Sequence, residues 1–409
     1  MKIIPCIIGL GYVGLPITLN LANSFVTYGF DKNRKRIENL KNKIDVNREF
    51  EPKKFDNIKK IIFTNKTKDI KKCNFFILCL PTPIHKNKKP DLTNLNDAIE
   101  MISTILKRND IIFLESTVFP GITEKYKNYL EKKTNLNNNK DFFIGYSPER
   151  INPGDKKYTL KNITKVVAIG TKNKKVLEKT YKIYNKISRK LIISKDIKAA
   201  ETAKVIENIQ RDLNIALMNE ILLICKKLKI NFKEVMRLAK SKWNFMNFMP
   251  GLVGGHCLPV DPYYLSNISK KNNLKTEVTL AGRKINDRML NYITEELNYF
   301  LNKKNKTLKN SKIIIVGLTY KAGVADMRNS LNFEIFKKIK KYNNKIYGCD
   351  PFVTKNIKTT YNVYDNVKKS TYYDVILFLS YHKIFKKIFQ NISSSKNRNK
   401  ILDPFNYYS

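Results

Sequence analysis

The fold is decided by residues 3–31, which read IIPCIIGLGYVGLPITLNLANSFVTYGFD. Up to Phe30 this stretch has no charged residue, but its glycines, asparagines and prolines make it too polar and too irregular for a membrane span or a signal peptide. The pattern instead predicts a strand over 3–8, a glycine turn, a helix over 13–24 and a strand over 25–30. Such a unit is typical of a parallel α/β sheet.

The glycine turn has the pattern G-x-G-x-x-G at Gly9, Gly11 and Gly14. In dinucleotide-binding sheets the first glycine permits the tight turn, the second lets a pyrophosphate approach, and the third lets the helix pack on the strand. The helix N-terminus supplies N–H donors to the phosphate. Asp31 follows at the end of the second strand, where a carboxylate would bind ribose hydroxyls and repel a 2′-phosphate. The unit predicts a site that prefers NAD over NADP; the alternative is that Asp31 is only a turn residue.

The rest of the chain predicts a second α/β region after a helical middle. Five further strands follow the opening unit up to Ile169, and an apolar residue at every third or fourth position from Ile206 to Leu228 predicts one long amphipathic helix. Strands return after the Lys/Asn-rich stretch 303–311. We expect an α/β fold of two Rossmann-like, doubly wound parallel-sheet domains joined by a central long-helix domain. The predicted boundaries are 1–196, 197–302 and 303–409.

Composition excludes several classes of function. The chain has 78 Lys and Arg against 35 Asp and Glu, a net charge of +43. The cations are spread evenly and are mostly Lys, whereas nucleic-acid sites cluster their cations and rely on Arg, so we expect neither a nucleic-acid partner nor a membrane one. The 6 Cys and 3 His lack the spacing of a disulfide framework or a metal site, which predicts reduced thiols in a cytoplasmic protein that binds no metal.

A thiol and a Lys-Asn pair are the candidate reactive groups. Cys257 lies in GGHCLPVDP, where glycines and prolines hold a loop close to a ligand, and a thiol that adds to an aldehyde can become a thioester that water opens. Lys204 and Asn208 lie four residues apart on the long helix and could stabilise an alkoxide. Glu149 and Thr117 each follow a predicted strand, where open α/β sheets bind ligands. A buried loop cysteine, a solvated helix face and ordinary loops are the alternatives.

Nine ordered motifs resemble the UDP-glucose/GDP-mannose dehydrogenase superfamily across essentially the whole chain. They are GLGYVGLP at 9–16, PTP at 81–83, ESTVFPGITE at 115–124, YSPERINPGD at 146–155, AAETAKVIENIQRDLNIALMNE at 199–220, SKWNF at 241–245, GLVGGHCLPVDPYYL at 251–265, AGRKIND at 281–287 and GLTYKAGVADMRNS at 317–330. Three of them are most similar to the branch that acts on UDP-N-acetylhexosamines, particularly Vi-antigen-type UDP-N-acetylglucosamine 6-dehydrogenases. The resemblance implies a four-electron oxidation of a C6 hydroxyl to a carboxylate with two NAD⁺, for polysaccharide precursor synthesis.

The resemblance also implies a role for each matching residue. Cys257 would be the nucleophile, Lys204 and Asn208 would stabilise the oxyanion, and Asp261 would orient Lys204 and water. Glu149 would be the general base, and Thr117 would assist with water and protons. The implied NAD contacts are Gly9, Gly11, Tyr12, Val13, Gly14, Asp31, Arg36, Thr82, Thr117 and Arg328. The implied nucleotide-sugar contacts are Glu149, Arg150, Lys204, Asn208, the loop from Phe248 through Gly251 to Gly254, Arg283, Tyr320 and Lys321.

Partners and substrate alternatives are also implied by this resemblance. In this family the C-terminal domain holds much of the UDP and the long helix carries the dimer interface, so we expect a homodimer. Pro153 stands where the UDP-glucose branch has a second glutamate, which argues against UDP-glucose. The alternatives are another nucleotide sugar (UDP-N-acetylgalactosamine, UDP-N-acetylmannosamine or UDP-glucose), a two-electron NAD-dependent hydroxyacid dehydrogenase, and a basic binding protein supported only by the net charge.

Overall fold

The first sheet has eight strands and grows from the segment that opens the chain. The computed structural model describes residues 2–47, 50–56, 60–150, 159–321, 323, 327, 329–367, 370–380 and 382–408. The strands are β1 Pro5–Ile8, β2 Thr27–Phe30, β3 Ile61–Thr64, β4 Phe75–Leu78, β5 Ile111–Leu114, β6 Phe143–Tyr146, β7 Thr164–Ile169 and β8 Lys190–Ser194. They lie in the order β3-β2-β1-β4-β5-β6-β7-β8.

Strand direction in this sheet confirms the predicted doubly wound class with one exception. Neighbouring strands pair in parallel, except that β6 and β7 pair antiparallel, so the last two strands run against the rest. β1 lies between β2 and β4, and the chain extends the sheet in opposite directions on either side of it. The turn after β1 therefore lies at a topological switch point, where α/β sheets bind ligands.

Helices cover the first sheet, which explains why its strands are continuously apolar. Every residue of β1, β4 and β5 is buried, as expected for strands covered on both faces. Helix α1 packs on β1 and β2, and this packing needs Gly14, because a Cβ there would overlap the Gly9 carbonyl oxygen. The helices of this part are α1 Gly14–Ala22, α2 Arg34–Lys41, α3 Lys53–Asp56, α4 Thr67–Ile70, α5 Thr93–Ser103, α6 Ile122–Thr134 and α7 Lys174–Ile187.

The middle of the chain is helical, as its periodicity predicts. The helices are α8 Ile197–Lys227, α9 Phe232–Ala239, α10 Asp261–Lys271 and α11 Glu277–Asn302. Helix α8 is 31 residues long and contains most of the apolar stripe. On α11 the residues Met289, Ile293, Leu297 and Leu301 are fully buried at a spacing of four, so one face of that helix lies in a core. The apolar periodicity of the sequence does not predict helix α10.

A second, five-stranded sheet comes after the helices. Its strands are β9 Ile313–Val316, β10 Ile346–Cys349, β11 Val363–Tyr364, β12 Val375–Phe378 and β13 Ile401–Leu402, in the order β11-β10-β9-β12-β13. Each neighbouring pair is parallel, and β9 occupies the switch position that β1 has in the first sheet. The helices are α12 Leu331–Lys340, α13 Lys355–Tyr361 and α14 Lys383–Ser393, with short 3₁₀ turns at Ser370–Tyr372 and Arg398–Lys400.

The chain forms two units, each with its own buried cores. The first unit is Met1–Glu207 with Tyr263–Lys275, and the second is Asn208–Pro262 with Thr276–Ser409. The predicted division into three domains remains a prediction. None of the helices in the described part of the chain has the length and hydropathy needed to cross a bilayer.

Candidate active site

The dinucleotide turn of the first unit is held by Asp31. One carboxylate oxygen of Asp31 accepts a hydrogen bond from the Leu10 N–H at 2.9 Å, and the other accepts from the Asn33 N–H at 2.9 Å. Asp31 is only half-buried, so the carboxylate that fixes the turn also faces outward at the end of β2. Its position after β2 is the one predicted for a ribose contact.

The residues of this turn fit a dinucleotide. Helix α1 begins after Val13, whose apolar side chain cannot cap the first-turn N–H groups, so these groups suit a phosphate. A Cβ at Gly11 would meet no protein atom within 4 Å, so the backbone can be approached closely there. With the outward carboxylate of Asp31, the turn has the donors, the space and the acceptor that NAD requires.

Arg36, a predicted NAD contact, donates a hydrogen bond to the backbone of the glycine turn. Its side chain is buried, its Nε donates to the Leu10 carbonyl at 3.0 Å, and its Nη1 donates to Asp45 at 2.9 Å. These bonds engage two of the three guanidinium nitrogens with the protein itself. A direct contact of Arg36 with NAD remains a prediction, and the predicted contact Arg328 lies outside the described residues.

The ends of β4 and β5 bring Thr82 and Thr117 together. The Thr82 hydroxyl donates to the Thr117 carbonyl at 2.7 Å, and the neighbouring Ser116 hydroxyl accepts from the Leu80 N–H at 2.9 Å. The Tyr264 hydroxyl, from α10, donates to the Thr82 carbonyl at 2.7 Å. Two loops that the sequence predicts to contact the same ligand are thus joined at the carboxyl edge of the sheet.

Glu149 lies just after β6 beside a buried lysine that the sequence analysis does not anticipate. Lys165 of β7 is 1 % exposed, and its ammonium lies 3.6 Å from a Glu149 carboxylate oxygen. The same ammonium forms a hydrogen-bonded ion pair with Glu115, at the end of β5, and donates to the Pro148 carbonyl at 3.2 Å. Glu115 belongs to the quoted ESTVFPGITE motif but had no predicted role.

Charge and burial oppose each other in this cluster. Burial raises the pKa of Glu115 to about 7, against the attraction of Lys165. Burial alone would lower the pKa of Lys165, but the charges of Glu115 and Glu149 outweigh it and raise that pKa, so the lysine stays protonated. One buried cation therefore serves two carboxylates, an arrangement typical of functional sites.

Two glutamates on either side of Lys204 attach this part of α8 to neighbouring loops of the first unit. Glu201, one turn earlier, is fully buried and accepts from the Gly121 N–H at 2.6 Å and from the Thr123 N–H at 2.9 Å. Glu207, one turn later, forms an ion pair with Arg150. These contacts attach the start of α8 both to the loop after Thr117 and to the residue after Glu149, and the Lys204 side chain between them is buried.

The Cys257 loop lies in the second unit. The thiol is exposed, and the Cys257 carbonyl accepts from the N–H groups of Val260 at 3.0 Å and Asp261 at 2.8 Å. This turn brings Asp261, which is 2 % exposed, beneath the loop, where Asn208 donates its amide hydrogen to the Asp261 carboxylate at 2.5 Å. Three predicted catalytic residues are thus close to one another. His256, next to the thiol, lies with its Nδ1 3.4 Å from the Asn329 amide.

The glycines of the Cys257 loop allow a second loop to pack against it. Gly255 has φ +91°, and a Cβ there would lie 2.9 Å from the Tyr320 ring. The Gly255 N–H donates to the Asn329 carbonyl at 3.1 Å, and the Asn329 amide donates back to the Gly255 carbonyl at 3.3 Å. The predicted substrate residues Gly254, Tyr320 and, by chain continuity, Lys321 therefore belong to one loop pair.

A buried polar network holds the middle of the predicted substrate loop at Gly251. Asn219 of α8 accepts from the Gly251 N–H at 2.8 Å and donates to the Gly251 carbonyl at 3.0 Å. The same amide reaches Asn286 of α11 at 2.8 Å. The sequence assigns no role to Asn219 or Asn286, although each lies within one of the quoted motifs. Phe248 packs at the edge of the adjoining core.

Arg283, a predicted substrate contact, belongs to the same network. It is 3 % exposed and donates to Asp212 at 2.6 Å and to Asp287 at 2.5 Å. Its fork is therefore held by two carboxylates of α8 and α11, and its contact with substrate remains a prediction. Among the residues that the structure describes, no group of His, Cys, Asp and Glu side chains is arranged to hold a metal ion.

Comparison with known proteins decides the family. The family models of the UDP-glucose/GDP-mannose dehydrogenases match in order: the NAD binding domain over residues 1–188, the central domain over 198–288 and the UDP binding domain over 314–409. The chain belongs to the UDP-glucose/GDP-mannose dehydrogenase family. It is an NAD-dependent nucleotide-sugar dehydrogenase, which confirms the predicted family, cofactor and enzyme class.

Relatives in this dehydrogenase family match nearly the whole chain. The UDP-N-acetyl-D-glucosamine 6-dehydrogenase of Salmonella typhi is 44% identical over 93% of this chain and 90% of its own length. The protein of the same name from Pseudomonas aeruginosa is 42% identical over 85% of this chain and 82% of its own. Among solved structures, the UDP-D-ManNAc dehydrogenase of Pyrococcus horikoshii is similar with a TM-score of 0.84, at 27% identity over 98% of this chain and 93% of that one.

Proposed function

We propose that this dehydrogenase oxidises the C6 hydroxyl of UDP-N-acetyl-D-glucosamine to the uronic acid, a precursor for polysaccharide synthesis. The observation that carries the proposal is the identity of 44% and 42% to two UDP-N-acetyl-D-glucosamine 6-dehydrogenases. Relatives named as UDP-N-acetyl-D-mannosamine dehydrogenases are 30–34% identical. The oxidation removes four electrons, and bound NAD⁺ supplies the hydride acceptor for each of its two steps.

In the first step Lys204 and Asn208 act on the C6 oxygen. Both lie on one face of α8, and Asn208 is held by the buried Asp261 carboxylate, so its amide is oriented before substrate arrives. Glu149, the proposed general base, takes the hydroxyl proton directly or through water, and an ammonium and an amide N–H at that oxygen stabilise the alkoxide from which hydride leaves. The product of this step is an aldehyde.

In the second step the Cys257 sulfur adds to the aldehyde carbon. A C–S bond forms, and the new oxyanion is stabilised by the same Lys204 and Asn208. Loss of hydride and of the hydroxyl proton converts this thiohemiacetal to a thioester. Water then attacks the thioester carbon while Glu149 takes a proton from it, and the C–S bond breaks to return the thiol and release the carboxylate.

UDP-N-acetyl-D-mannosamine is the second candidate substrate. It is supported by the similarity to the solved structure from Pyrococcus horikoshii, which is named a UDP-D-ManNAc dehydrogenase and has a TM-score of 0.84. The two sugars differ in configuration at one carbon of the ring, so a few loop contacts decide between them. A two-electron hydroxyacid dehydrogenase is disfavoured, because the chain also matches a UDP binding domain over residues 314–409.

The test is the NADH yield from limiting sugar. We expect two NADH per molecule of UDP-N-acetylglucosamine, measured at the NADH absorbance, and little turnover of UDP-N-acetylgalactosamine, UDP-N-acetylmannosamine or UDP-glucose in parallel. Two NADH from UDP-N-acetylmannosamine instead would reassign the substrate. No NADH from any of the four would overturn the proposed function.

The covalent step is tested by Cys257→Ser. A serine hydroxyl cannot form the thioester intermediate, so we expect acid production to be lost. The affinity for NAD should stay that of the wild type. The matched control is Cys225→Ser, at a buried thiol of the same unit that lies outside the site. Full turnover by the Cys257 variant would remove the thioester from the mechanism.

We also propose that the enzyme is a cytoplasmic homodimer formed through α8. Leu217, Ile224 and Leu228 lie on one face of that helix and the residue after it, and are 49%, 50% and 62% exposed, an apolar stripe that a second copy would cover. Light scattering should give twice the chain mass, and Ile224→Lys should give the single mass. The six cysteines form no disulfide, which suits a reducing compartment.

A further inference from the structure

We propose that Lys165 is a positioning residue of the reaction: together with Glu115 it holds the Glu149 carboxylate in place, and the Lys165 ammonium and the Glu115 carboxyl set the pH range in which the buried carboxyl pair gives up its shared proton. The inference rests on the proposed role of Glu149 as general base and goes beyond it, because neither Lys165 nor Glu115 contacts substrate in that role. All three residues lie in the first unit, on neighbouring strands or the loops that follow them.

The geometry of Lys165 accounts for the positioning. An ammonium has three N–H donors, and those of Lys165 face the Glu115 carboxylate, the Pro148 carbonyl at 3.2 Å and the Glu149 carboxylate at 3.6 Å. The contact with Pro148 fixes the backbone immediately before Glu149. The Glu149 side chain is only 11% exposed, so small displacements of this loop change where its carboxylate points.

The charge count accounts for the pH range. Cys79 and Tyr184 border the cluster, and burial raises the pKa of each well above its ordinary value, so both stay neutral. Both carboxylates approach the one buried ammonium of Lys165, so when both are ionised their combined charge exceeds that of the lysine. Such a pair takes up a proton near neutral pH, consistent with the pKa of about 7 at Glu115.

The two partners of Glu149 act in opposite directions. Lys165 favours the ionised form of the carboxyl pair, whereas the charge of Glu115 disfavours ionisation of its neighbour. Removing the lysine should therefore make the pair hold its proton to higher pH. Removing the Glu115 charge removes the repulsion within the pair, so the acid limb of the activity profile should move to lower pH. A purely structural role for these residues predicts no such opposition.

The experiment measures the pH dependence of kcat/KM, with the sugar that the wild type accepts, for five variants. Lys165→Met should move the acid limb of the profile up by about 1–3 pH units, and Glu115→Gln should move it down by about one unit or more. Lys165→Arg keeps the cation, and Lys165→Met/Glu115→Gln restores the charge count, so both should have a limb close to the wild type. The matched control is Lys190→Met, an exposed lysine on the neighbouring strand β8, which should change nothing.

Two results would overturn the inference. The first is that Lys165→Met and Glu115→Gln, both folded by circular dichroism, shift the limb in the same direction or leave it in place. The second needs no turnover: infrared difference spectra between pH values on either side of 7 should show one more carboxyl group titrating in the wild type than in Glu115→Gln, since Asp110, whose pKa burial raises to about 6, contributes equally to both. Equal spectra for the wild type and Glu115→Gln refute the inference even if the enzyme oxidises the proposed sugar, and the extra carboxyl group in the wild type supports the inference even if the substrate is another.

Discussion

The two sheets begin with the same turn and use it differently. Gly9 follows β1 with φ +92°, and Gly317 follows β9 with φ +88°. In each sheet an aspartate at the end of the next strand accepts the N–H of the residue after that glycine: Asp31 accepts from Leu10 at 2.9 Å, and Asp350 accepts from Leu318 at 2.8 Å. The local chain geometry at the two switch points is therefore closely similar.

The segments after the two turns differ. Helix α1 begins at Gly14, five residues after Gly9, whereas α12 begins at Leu331, after a loop. Asp31 faces outward, but Asp350 is fully buried, also accepts from the Thr319 N–H at 3.0 Å, and lies 3.9 Å from the buried His382. Only the first turn combines a helix N-terminus with an accessible carboxylate. A shared turn therefore does not make a shared site, in agreement with the NAD and UDP binding domains assigned to the two regions.

The largest expected effect is that of Gly14→Ala, which breaks the first turn. The added Cβ overlaps the Gly9 carbonyl oxygen, so the helix must move off the strand, and we expect a loss of about 3 kcal/mol or more in the free energy of unfolding together with loss of NAD binding. Gly11→Ala is the control: no protein atom lies within 4 Å of its Cβ, so that variant should fold normally and lose only NAD affinity. Urea unfolding and calorimetric titration measure both quantities. Normal NAD binding by Gly14→Ala would contradict the packing argument.

The second largest effect is that of Asp350→Ala, in the second turn. It leaves the buried N–H groups of Leu318 and Thr319, and the N–H of Phe352, without their acceptor, at a cost of about 2–4 kcal/mol in the free energy of unfolding. NAD affinity should not change, because the hydrogen bonds that this carboxylate accepts all come from loops of the second sheet. A stable Asp350→Ala variant with weakened NAD binding would mean that the second turn also binds the dinucleotide.

Asp31→Ala is the counterpart in the first turn, and we expect it to weaken NAD binding more than it lowers stability. Asp31 is half-buried and accepts from two N–H groups at the edge of the sheet, so the free energy of unfolding should fall by only about 1 kcal/mol. The Kd for NAD should rise about tenfold, or about 1.4 kcal/mol, and the preference for NAD over NADP should shrink. Titration with both dinucleotides measures this. An unchanged Kd for NAD would move the ribose contact elsewhere.

The smallest expected effect is on the pH dependence of stability, and it arises from His382 beside the second turn. Burial lowers the pKa of His382 from its ordinary value of 6.5, against the attraction of Asp350. The unfolded chain therefore binds a proton below pH 6.5 that the folded chain does not, and stability should fall as the pH decreases below that value, by at most about 1.4 kcal/mol per pH unit. His382→Asn should flatten this dependence, whereas His85→Asn, at a half-exposed histidine of the first unit, should leave it unchanged. Urea unfolding at pH values above and below 6.5 tests both, and an equal slope in wild type and His382→Asn would refute the assignment.

The parts of the fold that sequence predicted well are those with strong local signals. The sequence predicts the bounds of the first three elements to within a few residues: Pro5–Ile8, Gly14–Ala22 and Thr27–Phe30. Continuous apolar runs indicate the two strands, and the three glycines indicate the turn between the first strand and the helix. β8 was missed because it is an edge strand whose Ile192 and Ile193 are half-exposed, so it lacks the buried pattern of the other strands. The antiparallel pairing of β6 with β7 also has no local signal.

The candidate site shows the same division. Cys257, Lys204, Asn208 and Asp31 are identified by motif, since their residue types and spacing carry the chemistry. Lys165 is not, because a lysine at the edge of an apolar strand is ordinarily read as a solvated residue. Its burial depends on Glu115 and Glu149, which lie 50 and 16 residues earlier in the chain.

The sequence by itself determined the family, the cofactor and the order of the structural elements, because these depend on local patterns: glycine spacing, apolar periodicity and motif identity. The tertiary structure alone decided which charged groups are buried and which partners they meet. It made Asp31 an outward-facing acceptor and Asp350 a buried one although both follow the same turn, and it placed one cation between two carboxylates at Glu149. Burial and electrostatic pairing arise from contacts between distant segments, so they cannot be read from the neighbours of a residue in the chain.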